Sequence, residues 1–163
     1  MTIAARHVDI TTEEITCHNG MPAFLAHPTG GGQFPTVVLM HERYGLVKHT
    51  KDQAIRCARD GFTVLAPNFF YKHPDQTALA AGDSRYDMTD PESNELMRAA
   101  LATLKAHKAT DPMKVVVMGY CQTGRIRLSS QPRRRSRLPS YGTAQPRRAN
   151  GRSTNCNQRL WKT

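Results

Sequence analysis

The chain has 163 residues, four cysteines and a formal net charge of +10, a length that suits one domain. No apolar run is long enough to span a bilayer, and the opening MTIAARHVDITTEE has no apolar core of a secretory signal. Cys17, Cys57, Cys121 and Cys156 lie far apart with no C-x-x-C pair, which argues against a zinc site or a disulfide framework and for a reducing, cytoplasmic compartment.

The charge is not spread evenly. Residues 1–124 carry 12 Lys+Arg against 13 Asp+Glu and all seven histidines, whereas residues 125–163 carry 11 Lys+Arg and no acid. Two compositions therefore meet just after residue 124.

In chain order, Glu13 to Cys17 and Ala23 to His27 flank Asn19-Gly20, which predicts a β-hairpin. Pro22 makes the second strand an edge strand or a late-starting one. Thr29 to Gln33 reads as a flexible loop. Pro35 to Met40 is a buried-strand candidate, and it runs into His41-Glu42-Arg43-Tyr44-Gly45-Leu46. Lys48 to Asp60 reads as a helix with Ala54, Ile55 and Ala58 as its apolar stripe and Gly61 as its stop. Cys57 reads as a small hydrophobe within that helix. Phe62 to Pro67 is a further parallel strand, so strand, helix and strand form a βαβ unit.

Asn68 to Asp90 reads as a long polar connection of the kind that forms functional lids. In it, Phe69, Phe70 and Tyr71 either wall an apolar pocket or pack the lid down. Asp90-Pro91-Glu92 predicts a helix start with Asp90 as N-cap. Leu96, Met97, Ala100, Leu101 and Leu104 supply the apolar face. His107 reads as a surface residue at the helix end, and Asp111-Pro112 as a turn into the next strand.

That strand, Lys114 to Gly119, contains three consecutive valines and suits a strand buried on both faces of a parallel sheet. Gly119-Tyr120-Cys121-Gln122-Thr123-Gly124 follows at once. A strand that stops at small residues around one nucleophilic side chain is the nucleophile-elbow pattern. The turn is tight, so the residues two before and two after the nucleophile must be small. The N–H groups of the following helix lower a thiol pKa and bind an oxyanion. The bland alternative is a buried Cys in a strand–turn–helix unit of another α/β protein.

G-Y-C-Q-T-G after a valine strand, and H-E-R-Y-G-L after an earlier strand, together resemble the dienelactone hydrolases. These are α/β-hydrolases with a Cys nucleophile in a G-x-C-x-G-G motif; Thr123 stands here in place of the usual Gly. The resemblance covers residues 13 to 125. It implies hydrolysis of a carboxylic ester or lactone, a small-molecule substrate, no metal or organic cofactor and no membrane. Cys121 would be the nucleophile and Glu42 would assist its ionisation, although a solvated loop carboxylate is the plain alternative for Glu42. The backbone N–H groups of Gln122 and Arg43 would hold the oxyanion. Arg85, the single arginine of the long connection, would bind the substrate carboxylate, or else is an exposed loop arginine. His41 reads as structural, since the family's base comes late in the chain.

The expected fold is an incomplete α/β-hydrolase: an N-terminal hairpin plus parallel βαβ units over residues 1–125, then a basic tail over 126–163. An α/β-hydrolase takes its acid and its His after the nucleophile. The 42 residues after Cys121 contain no Asp, Glu or His, so this sequence reads as inactive by itself. The Arg/Ser/Pro-rich tail is too poor in apolar residues to offset its ordering entropy and reads as disordered. Its abrupt onset reads as a frame shift, a mis-spliced end or a truncated gene. The competing reading is weak, non-specific binding of nucleic acid or another anionic surface through Arg133–Arg135 and Arg147-Arg148, with Tyr141 and Trp161 to stack on bases.

Overall fold

In this computed structural model, residues 8–121 are described together with Thr123 and Gly124. The expectations for Gln122 and for the tail, including Cys156, lie outside the described residues.

Five strands form one sheet in the order β1-β2-β4-β3-β5. The hairpin is β1 (Ile10–Thr16) and β2 (Pro22–Pro28), paired antiparallel. Its turn is a three-residue loop, His18 to Gly20, with Gly20 left-handed at φ +84°; Cys17 N–H donates to Met21 O at 2.8 Å and Gly20 N–H to Cys17 O at 2.9 Å. β2 is not an edge strand, because β4 (Thr63–Pro67) covers its other side. Pro22 is tolerated because it stands at the strand's first position, the late-starting alternative.

The parallel core follows. β3 (Phe34–Met40) lies between β4 and β5 (Thr110–Gly119) and is parallel to both. β5 begins four residues earlier than the expected start at Lys114. The expected Asp111-Pro112 turn survives as an excursion within it: Thr110 faces Phe34, whereas Val115 faces Thr36. Asp111 Oδ1 accepts the Met113 N–H at 3.0 Å, a local Asx bond that shapes this excursion.

Helix α1 (Lys48–Arg59) connects β3 to β4, and helix α3 (Asp90–Ala106) leads into β5. The two helices bury opposite faces of the sheet. Val37, Leu39, Val64, Ala66, Phe24 and Ala26 pack with Ala54 and Ala58 of α1. Their alternate neighbours Val38, Met40, Leu65, Leu25 and Ala23 pack with Leu96, Met97, Ala100 and Leu104 of α3. This is the period-two alternation of strands covered on both sides. Phe69 and Phe70 are fully buried in the α3-side core, so they pack the connection down.

Two helix details differ from the sequence expectation. The N-cap of α3 is Thr89, not Asp90; Thr89 Oγ1 accepts the Glu92 N–H at 3.3 Å, and Asp90 enters the first turn. The long connection is not structureless either. It contains α2 (Gln76–Ala81), capped by Asp75 Oδ1 on the Ala78 N–H at 2.8 Å and ended by Gly82 at φ +87°. Among the described residues no helix is long and apolar enough to cross a membrane.

Candidate active site

The strand order fixes where a site can form. β4 and β5 lie on either side of β3, so the chain leaves β3 in one direction and returns on the other. In open α/β sheets such a switch point opens a crevice beyond the carboxyl ends of the strands. Here those ends carry His41-Glu42-Arg43 after β3 and Tyr120-Cys121 after β5.

At the end of β3, His41 is buried and bonded at both ring nitrogens. Nδ1–H donates to the Glu42 carbonyl at 2.6 Å, and Nε2 accepts the Phe69 N–H at 3.0 Å. Both bonds suit the neutral ring, and burial holds its pKa down at about 4. His41 is therefore a structural pin, as the sequence reading held. The loop beyond it is braced by α2. A Cβ on Gly45, at φ +77°, would come within 3.3 Å of Leu79 Cδ2, and one on Gly82 would come within 3.0 Å of the Tyr44 ring and 3.1 Å of the Arg43 guanidinium. The Arg43 guanidinium lies 4.7 Å from the centre of the Tyr44 ring.

At the end of β5, Cys121 has φ +51°, the one positive φ on a non-glycine residue among those described. A left-handed non-glycine residue at a strand end is the strained turn that a nucleophile elbow needs. Its neighbours show why small residues are required. A Cβ on Gly119 would run into Met40 Cε and come within 3.2 Å of the Thr123 carbonyl oxygen and 3.3 Å of Gly124 Cα. Thr123 is fully buried, and its Oγ1 lies 2.5 Å from the His41 carbonyl and 3.0 Å from that of Tyr120. Thr123 N–H and Gly124 N–H both donate to Tyr120 O at 3.2 Å, a first helical turn. The Cys121 side chain is exposed, in contrast to buried Cys17 and half-buried Cys57.

Between these two strand ends lies an open pocket of about 910 Å³, lined by Arg43, Arg85, Cys121 and the stretch from Asp87 to Pro91. The fold thus brings together three of the residues singled out from sequence. Glu42 does not line this pocket; the Glu42 contacts seen among the described residues are made by its carbonyl, to His41 and Gly45. Asp87 to Asp90 belong to the connection read as a lid, but sequence reasoning did not single out these residues or Pro91 as pocket lining. The available signal was the cap of α3, since a helix that runs antiparallel to parallel strands starts at their carboxyl ends.

Comparison with known proteins bears on this geometry. Residues 21–156 match the Dienelactone hydrolase family, a stretch that runs beyond the elbow into the basic segment. A "Putative carboxymethylenebutenolidase" of Methylorubrum extorquens is 30% identical over 111 residues, 65% of this chain and 38% of that protein. One of the same name from Synechocystis sp. is 27% identical over 157 residues, 88% of this chain and 64% of that protein. The solved structure called "m3DLH" superposes with a TM-score of 0.61 at 27% identity, covering 74% of this chain and 53% of that one. The chain therefore spans only 38–64% of the length of these relatives. Because the family match takes in the parallel strands, the loop after β3 and the elbow in one continuous stretch, this chain belongs to the dienelactone hydrolase family.

Proposed function

We propose that the chain carries the nucleophile side of a carboxylic-ester or lactone hydrolase, with Cys121 as the attacking group. The observation that carries this reading is Cys121 itself, exposed at φ +51° on a pocket that it shares with Arg43 and Arg85. In this mechanism the Cys121 thiolate adds to the substrate carbonyl. The Arg43 backbone N–H and, by family resemblance, that of Gln122 hold the resulting oxyanion. Collapse expels the alkoxide of the ester or opened lactone and leaves a thioester, which water then hydrolyses. By family resemblance Glu42, in the oxyanion loop, is assigned to assist ionisation of the thiol, a role that requires its carboxylate to turn toward a pocket it does not line here.

The relatives' printed name points to a carboxymethylenebutenolide, a lactone that also carries a carboxylate. Two guanidinium groups on one pocket suit such a substrate, and we assign Arg85 to its carboxylate. The reaction also needs a proton shuttle, and residues 122–163 hold no Asp, Glu or His. The 163 residues by themselves are therefore proposed to lack turnover.

A lactone and an aryl-ester assay of the purified chain, with mass spectrometry of Cys121, tests the proposal. The expected result is an acyl adduct confined to Cys121, formed slowly, without sustained hydrolysis. Adducts that persist in Cys121→Ala would overturn the nucleophile assignment. Steady hydrolysis that Cys121→Ala abolishes would overturn the lack of turnover.

A further inference from the structure

A second cluster of reactive side chains lies at the opposite end of α3. That helix has 17 residues, so its two ends are about 25 Å apart. β1 and β2 present Glu13 and His27 on the same face of the hairpin, since Thr11 pairs with His27 and Glu13 with Leu25. This is the face that α3 covers, and the C-cap of α3, His107, comes down beside them. The His27 and His107 rings are 5.4 Å apart between centres. One ligand atom each from Glu13, His27 and His107 lies within 4.8 Å of the other two.

We propose that Glu13, His27 and His107 form a binding site for a divalent ion of the zinc type. Two imidazoles and a carboxylate are a donor set such ions take, with a fourth position left to water. His27 is oriented for the task. Its Nδ1–H donates to the Pro28 carbonyl at 2.9 Å, which leaves the Nε2 lone pair facing Glu13 Oε1 at 3.5 Å. A backbone carbonyl on the far nitrogen is the usual support of a metal-ligating histidine. With metal–ligand bonds of 2.0–2.1 Å, tetrahedral ligands sit about 3.4 Å apart, so the His27–Glu13 pair already has the required spacing. His107 must close in, and its place just past the end of a helix allows that. The carbonyl end of α3 favours a cation.

Two local features oppose binding. Lys108 lines the same hollow, although its side chain is exposed. His107 Nδ1 accepts the Ala109 N–H at 3.3 Å. Ligation through either nitrogen of His107 gives that bond up, since Nδ1 then either holds the metal or carries the proton. The Ala109 amide is therefore a local reporter. Cysteine spacing argued against a zinc site, but this set is assembled from histidines 80 residues apart in sequence that only the fold brings together.

The test is calorimetric titration of the full chain with Zn²⁺ at pH 7.5, its accessible thiols blocked by alkylation, alongside the Ala109 amide NMR signal. Expected are one ion per chain, a shift of the Ala109 signal, and affinity at least tenfold weaker in Glu13→Gln and in His107→Asn. Both variants change partly exposed side chains, and retained folding is checked by amide dispersion. His73→Asn, outside the cluster, should leave affinity unchanged. A folded chain that takes up no Zn²⁺, or one whose binding survives both Glu13→Gln and His107→Asn, overturns the site.

Discussion

Thr123 Oγ1 donates to the main-chain carbonyl of His41 at 2.5 Å, across 82 residues of sequence. This bond ties the elbow after β5 to the loop after β3, the two segments that carry the nucleophile and the oxyanion donor of the proposed reaction. It also gives the Thr at this position a role that a Gly could not fill. Thr123→Val keeps the shape but leaves a buried carbonyl without its donor, a loss of about 1–3 kcal/mol. Thr123→Ser keeps the hydroxyl and should cost clearly less. Urea unfolding of the two variants decides the point; equal losses would show that the bond contributes nothing.

The two glycines of the elbow are not equivalent. A methyl on Gly119 meets Met40 Cε and the backbone of Thr123 and Gly124, whereas the nearest atom to a methyl on Gly124 is Gly119 O at 3.5 Å. Gly119→Ala should therefore destabilise by about 1–3 kcal/mol, the usual cost of overpacking. Gly124→Ala should be close to neutral. The reverse order in thermal unfolding would mean that the turn is built differently.

His41 makes stability depend on pH. Its folded-state pKa, about 4, lies below the ordinary value of 6.5, so the unfolded chain takes up the proton first. The contribution of His41 is whole above pH 6.5 and is lost as pH falls from 6.5 to 4. The full span corresponds to about 3 kcal/mol. In His41→Gln the drop in unfolding free energy between pH 7 and pH 5 should shrink by about 2 kcal/mol. An unchanged drop would show that His41 is protonated in the folded state.

β5 pairs with β3 on one side only among the described residues. It exposes Met113 at 89%, Val116 at 56% and, just beyond, Tyr120 at 40%. A long apolar edge with unpaired N–H and C=O groups is a template for association. The 163-residue chain should self-associate and bind a hydrophobic dye, and Val116→Lys should reduce both. Light scattering from a monodisperse wild-type monomer that binds no dye would refute this.

What could be read from sequence follows the range of the forces involved. The strands at Val37–Met40 and Val64–Ala66 were legible because burial on both faces leaves continuous apolar runs. The helix at Lys48–Arg59 was legible because Ala54 and Ala58 recur at helical spacing. Cys121 was legible because steric demand fixes small residues around an elbow. Helix α2 was missed because six residues are too few for a period, although Asp75 and Gly82 marked its ends. That Pro22 opens an interior strand depends on β4 pairing beyond it, which no local pattern records. The lining of the pocket by Asp87 to Pro91, and the meeting of His27 with His107, are tertiary facts of the same kind.

The last prediction concerns the thiols. Burial pushes the Cys17 thiol pKa up, as it does for Cys57, where the nearby Asp60 adds to the rise. Both therefore carry less thiolate at neutral pH than an ordinary cysteine. Cys121 is exposed at the tip of β5, beside the pocket and ahead of a first helical turn. Iodoacetamide should therefore modify Cys121 well before Cys17 or Cys57, by peptide mass spectrometry under native conditions. Hydrolysis should nevertheless stay low, because general acid–base help is worth about a hundred- to ten-thousand-fold in rate, and no His follows Cys121 here. Gly119→Ala connects the two observations. If the elbow presents the thiol, crowding at Gly119 should slow alkylation of Cys121 while Cys17 and Cys57 stay protected. Alkylation of Cys121 no faster than that of Cys57 in the unmodified chain would show that the turn does not present it.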